Sequence, residues 1–261
     1  MGDQSLGFNH EIPKEGYNLY GTPAKTYETI RLSNNGIRGT GKIDFIHSHL
    51  FSDDFIYYSD SVTTDGYKGY IDPGQVKSLN FPQADLGNFR MSWYPRKDSM
   101  YLITIGEPFN FYTKSAQLEG TVNLTQAGVY GAGRFFTRGS ITESKQMTFE
   151  EKKFEARNSK FQILSDQIDQ PAMVGEDTYV NFNLEKNIAD INIENTRDAA
   201  FNFPYTAMKT SIVNATWFLE DSVVTMRKPD NVDLKDSYFY STRSDLDSLV
   251  FNGTNAIYDI K

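Results

Sequence analysis

Gly36-Ile37-Arg38-Gly39-Thr40-Gly41-Lys42 nearly spells a phosphate-binding loop, G-x-x-x-x-G-K-[ST]. Ile43 stands where the magnesium-binding hydroxyl belongs. Ile43-Asp44-Phe45-Ile46 reads as a strand, whereas a phosphate loop must open a helix whose amides hold the anion. Nucleotide binding is therefore not expected. His47 and His49 flank Ser48 and would share one face of a strand, within reach of a common metal ion, with Asp44, Asp53 and Asp54 near in sequence. No third ligand follows at a diagnostic zinc spacing, so both histidines are read as solvated strand positions. Asp230-Asn231-Val232-Asp233-Leu234-Lys235-Asp236 lacks the glycine and terminal Glu of a calcium loop, and Ser244-Asp245-Leu246-Asp247 is looser still. No G-x-S-x-G elbow accompanies the three histidines, and no pair can be chosen among 34 acidic residues by spacing alone. No catalytic residue, cofactor or metal is expected.

The glycines belong to a larger pattern. Residues 29–42 (TIRLSNNGIRGTGK) recur as residues 121–134 (TVNLTQAGVYGAGR), 92 positions on. The Thr, the Leu and three glycines are identical, and four further positions are conservative exchanges. The same spacing joins Tyr17-Asn18-Leu19-Tyr20 to Phe109-Asn110-Phe111-Tyr112, and then to Phe201-Asn202-Phe203. Gly36, Gly39, Gly41, Gly128, Gly131 and Gly133 are thus expected to supply positive φ or close backbone approach at a recurring turn or bulge. Asn18, Asn110 and Asn202 occupy one repeat position and are read as structural amides. The repeat divides the chain into a lead-in (1–16), copy one (17–108), copy two (109–200) and a partial, divergent third copy (201–261). No Pro/Gly/Ser-rich linker separates them, which suits abutting units.

The elements around these residues read as strands. Val180–Leu184 and Ile191–Ile193 alternate apolar and polar residues, and Tyr101–Ile105 and Leu249–Phe251 are short apolar runs. Glu150–Arg157 is rich in helix formers, but its repeat partner Tyr58–Asp65 is not. Equivalent positions share one backbone, so both are expected to be extended with a turn, Val62 and Phe154 inward. The expected fold is all-β: an elongated repeat array, solenoid-like or of stacked twisted sheets. Tandem β-sandwich domains are the alternative, since 92 residues approaches the ~100 of such a domain.

Tyr and Phe number 16 and 19, and a mean hydropathy of −0.52 fits strands with one wet face. A net charge of −8 disfavours nucleic acid or an anionic membrane as partner. Cysteine is absent, which removes disulfides and thiolate metal sites. No run approaches the ~18 apolar residues of a membrane helix. The aromatic clusters around Phe55, Tyr57, Tyr58, Trp93 and Tyr94 are the candidate interaction residues, because rings on both faces of a strand leave one set for a partner.

Gly39–Phe45 with Ser52–Ser61, and Ser237–Thr242 with Asp247–Phe251, resemble recurring text in very large, repetitive cell-envelope proteins of bacteria with type 9 secretion. The resemblance implies a periplasmic or cell-surface, non-enzymatic protein with envelope or outer-membrane protein partners. As a specific role it implies closing, or docking to, a secretion pore. Two other expectations are an adhesin or glycan-binding module, with Trp93 and Tyr94 stacking on sugars, and a polysaccharide-active β-solenoid enzyme using Asp53 or Asp54.

Overall fold

The computed structural model describes residues 7–76, 79–167, 170–195, 200–246 and 249–260. Among them there is no α-helix, and every pairing described below is antiparallel. The chain is all-β. It folds as two compact units, Met1–Gly131 with Phe149–Glu151, and Ala132–Thr148 with Lys152–Lys261. The boundary falls inside the second sequence copy.

The first unit contains β1 (Gly7–Glu11), β2 (Tyr17–Asn18), β3 (Lys25–Ser33), β4 (Gly36–Phe45), β5 (Ser48–Tyr57), β6 (Val62–Gly66), β7 (Lys68–Ile71), β8 (Gly74–Val76), β9 (Leu79–Phe81), β10 (Ala84–Asp85), β11 (Phe89–Tyr94), β12 (Ser99–Thr104), β13 (Phe109–Phe111) and β14 (Ala116–Thr125). Strand β15 (Gly128–Thr137) begins in it and β16 (Ser140–Phe149) ends in it. The long strand β5 divides its partners: residues 48–51 pair with β7 and residues 56–57 with β6. One path continues β6–β11–β12 and the other β7–β10–β13. Both rejoin on β14, which gives residues 116–118 to β13 and 121–124 to β12. The result is a closed eight-strand ring. Closure satisfies the strand edges that an open sheet would leave to solvent.

The second unit holds β17 (Lys153–Ile163), β18 (Met173–Asn183), β19 (Ile188–Ile193), β20 (Phe201–Phe203), β21 (Met208–Thr210), β22 (Asn214–Phe218), β23 (Val223–Arg227), β24 (Tyr238–Ser241), β25 (Val250–Asn252) and β26 (Asn255–Asp259). The same wiring returns. Strand β18 divides between β20 and β19, and the paths β19–β22–β23 and β20–β21–β24 run on to β26 and β25. Gly253-Thr254 joins those last two strands, as Glu119-Gly120 joins the two halves of β14. Trp93 and Trp217 hold the same place in the two rings: each is buried and each opens a row across the sheet, to Met100 and Leu124 in one and to Val224 and Tyr258 in the other.

The long strands must bend to serve two paths, and their sequences show how. Strict alternation of buried and exposed residues breaks at one adjacent polar pair in each: Asp53-Asp54 in β5, Lys145-Gln146 in β16, Arg157-Asn158 in β17 and Glu176-Asp177 in β18. Such a doublet is a β-bulge, which adds a residue, bends the strand and flips the inward phase. In β5, residues 53 and 54 lie between the pairs Gly39↔Phe55 and Gly41↔Ser52. A buried hydroxyl sits at each bend. Ser52 donates to the Asp65 carbonyl (3.2 Å) and accepts from the Asp54 amide (3.0 Å). Ninety-two residues on, Ser144 donates to the Arg157 carbonyl (2.6 Å) and accepts from the Gln146 amide (2.9 Å). The hydroxyls satisfy backbone groups that the bulge takes out of the ladder.

Residues 29–42 and 121–134 are each a strand, a two-residue turn and a strand, with turns at Asn34-Asn35 and Gln126-Ala127. Residues 153–163 are extended, and Phe154 and Val62 are fully buried.

Candidate interaction surface

The repeat glycines are geometric. Gly36, Gly41, Gly128 and Gly133 have φ of 92°, 112°, 136° and 136°. Gly39 and Gly131 make room for rings: a Cβ would lie 2.9 Å from the Tyr57 ring in one and 2.5 Å from the Phe149 ring in the other. An aromatic lying over a cross-strand glycine is one way to pin sheet register. The phosphate-loop look-alike is strand β4, entered from a turn with no helix after it.

The candidate aromatics do not form one exposed set. Phe55 and Trp93 are fully buried, which removes both from any partner-facing or sugar-stacking role. In β11 the inward phase is Phe89, Met91 and Trp93; Tyr94 is half-buried, edge-on to Tyr101 (6.4 Å) with the Lys97 ammonium 5.5 Å from its ring. Tyr57 is half-buried over Gly39 and bonded to Thr26 (2.8 Å); Tyr58 is exposed. Burial pushes the Tyr57 phenol up to about 12. The folded state therefore holds this proton more tightly than the unfolded chain, whose tyrosines titrate near ~10. The corresponding stability is complete below pH ~10 and is lost as pH rises toward ~12, at about 1.4 kcal/mol for each tenfold gain in proton affinity. Alkaline denaturation series should show Tyr57→Phe with a shallower loss between pH ~10 and ~12 than the parent chain.

The histidines are not brought together. His47 lies in the turn after β4, stacked on Phe81 at 5.1 Å. His49 lies on β5 between two carboxylates, Asp44 (2.6 Å) and Asp72 (3.2 Å), with Lys42 on the other oxygen of Asp44 (2.8 Å). Asp54 pairs with Arg38, while Asp53 is exposed. Among the described residues no three His, Asp or Glu side chains converge as a metal ion would need. Asp245 is held by both branches of Arg243 (2.9 and 2.6 Å), and Asp230 and Asp233 by Arg227 and Lys235; Asp247 lies outside the described residues. Asn110 accepts from Gln117 across its hairpin, and Asn18 and Asn202 face Lys25 and Lys209 in the same register.

No family model, curated protein or solved structure matches this chain. Function is therefore read from the surface itself.

The feature that stands out was not visible in the sequence. Phe8, Leu32, Ile37 and Tyr57 are directly opposed in turn across β1, β3, β4 and β5. The row continues through Val62, Trp93, Met100 and Leu124, all buried inside the ring. It is one continuous inward face, but its outer part is uncovered: Phe8 is 82%, Leu32 51% and Ile37 43% exposed. Their counterparts 92 residues on, Met100, Leu124 and Val129, are 0%, 2% and 0% exposed. Core-type residues without a cover mark an interaction surface. A second apolar patch lies on the closing strands of the other ring, where Phe203, Met226, Phe239 and Phe251 line an open groove of about 430 Å³. No helix among the described residues is long and apolar enough to cross a membrane.

Proposed function

We propose that this chain is a non-catalytic scaffold segment of a bacterial cell-envelope protein, periplasmic or surface-located, that docks other envelope or outer-membrane proteins at a secretion pore. The observation that carries the docking role is the inward-type row Phe8–Leu32–Ile37 left open on β1, β3 and β4. The glycines and most rings are used by bends and core packing, which leaves this row as the surface with the clearest unfilled demand. The envelope setting rests on the resemblance of Gly39–Phe45 and Ser52–Ser61 described above. An elongated array remains part of the proposal, with ring units as its repeating element. The glycan reading loses its principal residue, because Trp93 is in the core.

Photo-crosslinking in cells tests the reading. A crosslinker at Ile37 should capture one envelope protein, and the same group at Thr40, an exposed neighbour on β4, should not. Equal capture from both positions, or capture of cytoplasmic proteins alone, would reject it.

A further inference from the structure

The outer face of the first ring carries a groove that neither the bends nor the core requires. Arg38, Ile56, Thr63, Ser92 and Tyr101 are directly opposed in turn across β4, β5, β6, β11 and β12, one residue out of phase with the inward row. Asp65, Arg90 and Ile103 form the next row. Beside the bend of β5, Ile56, Thr63, Ser92 and their charged neighbours line a groove of about 470 Å³, within the range of small-ligand clefts. Every charged side chain on that lining is paired: Asp54 with Arg38, and Asp65 with both branches of Arg90 (2.8 and 3.0 Å). Tyr101 and Ile103 lie opposite Ser92 and Arg90 and are 39% and 45% exposed, with Tyr94 edge-on to Tyr101. The 92-residue spacing shows that the scaffold does not need these residues. Arg38, Asp54 and Asp65 become Tyr130, Gln146 and Arg157, although the bend of β5 recurs in β16. In the other direction Tyr101 and Ile103 correspond to Asn9 and Glu11, the polar residues usual on a wet face.

We infer that this groove binds a neutral oligosaccharide, with Tyr101 as the stacking ring and Arg90–Asp65 as the hydroxyl-binding pair. The charge balance selects the ligand class. An anion drawn to Arg38 or Arg90 would meet Asp54 or Asp65 as well, and a cation would meet the arginines. A sugar hydroxyl both donates and accepts, so it can use the carboxylate lone pairs and the guanidinium N–H groups that each pair leaves over. The Thr63 and Ser92 hydroxyls add donors and acceptors between the two pairs. Tyrosine offers a flat apolar face with a polar tip, which suits the carbon face of a pyranose and its hydroxyl rim. Trp93 takes no part, being on the opposite face of β11. The site lies on the other face of the sheet from Phe8, Leu32 and Ile37 and is independent of the docking role proposed above.

The test titrates the intact chain with neutral oligosaccharides (cellohexaose, maltohexaose, a mannan hexamer and a galactan hexamer) and with a galacturonic acid hexamer as the anionic counterpart. At least one neutral probe should bind at a single site and slow amide exchange across residues 90–94 and 99–104. Tyr101→Ala should weaken that binding by about tenfold or more, and Arg90→Gln by a similar factor. Tyr101→Phe keeps the ring and should retain binding. Tyr205→Ala, an exposed tyrosine of the second unit, should leave it unchanged. Tyr101 is partly exposed, so circular dichroism of its variants should match the parent, which separates loss of binding from loss of fold. Binding of none of the neutral probes overturns the inference. So does equal binding by Tyr101→Ala, or tighter binding of the galacturonic acid hexamer than of every neutral probe. Crosslinking from Ile37 should not change with saturating sugar, because the two sites lie on opposite faces.

Discussion

Replacing Trp93 by Ala should cost about 3–5 kcal/mol, and Trp217→Ala about the same, whereas Phe at either position should cost about 1 kcal/mol or less. The asymmetry follows from the buried indole. Trp93 fills the first ring against Phe45 (centroids 5.5 Å) and edge-on to Tyr20 (5.8 Å). Trp217 packs edge-on to Phe161 (6.3 Å) and Phe182 (6.1 Å). Alanine removes these contacts and leaves a cavity. Neither indole N–H has a hydrogen-bond partner within the described protein. A buried orphan donor costs roughly 1–3 kcal/mol, so phenylalanine loses some packing but sheds that penalty. Urea titrations with a constant m-value would give the differences. If Phe proves as costly as Ala, the donors are satisfied and the orphan argument fails.

The strands themselves were legible because period-2 alternation is a local signal. The equivalence of 29–42 with 121–134 was legible too, and it resolved Glu150–Arg157 toward extended chain where composition alone favoured helix. The phase of alternation was not. Ser92-Trp93-Tyr94 has one ring on each face, and nothing in those three residues says which faces the core. That is settled by Phe89 and Met91, which place Trp93 inside. Nor was ring closure legible, since pairing β6 with β11 joins residues across two intervening hairpins, a contact that local periodicity does not encode. Solvent exposure of Phe8, Leu32 and Ile37 was hidden for the related reason that their pattern is that of core residues. The bulges did leave a trace: an adjacent polar pair beside Ser or Thr within an alternating run, as in Ser52-Asp53-Asp54 and Asn158-Ser159. Both histidines were expected on one strand; His49 is, but Ile46, at φ 55°, puts His47 in the turn before it.

Ser159→Ala and Thr178→Val should each destabilise the chain by about 1–3 kcal/mol, and the double variant should cost clearly less than their sum. Both hydroxyls are buried with their oxygens 2.6 Å apart, and each also lies 2.9 Å from the other residue's carbonyl, so their two protons are shared among these three contacts. They sit at the facing bulges of β17 and β18, where the register shifts on either side of the pair Ser159↔Thr178. Removing one hydroxyl takes the donor from one carbonyl and breaks the hydroxyl pair, leaving the survivor only its own carbonyl acceptor, so the second removal has less left to break. Lys145→Thr, on the exposed doublet of β16, should change stability by no more than ~0.5 kcal/mol, because the bend there rests on Ser144. Strict additivity of Ser159→Ala and Thr178→Val would mean that the hydroxyls do not act as a unit. The bends would then be set by the left-handed backbone at Asn158 and Asp177, φ 44° and 52°, and glycine at those two positions would stabilise the protein instead of being neutral.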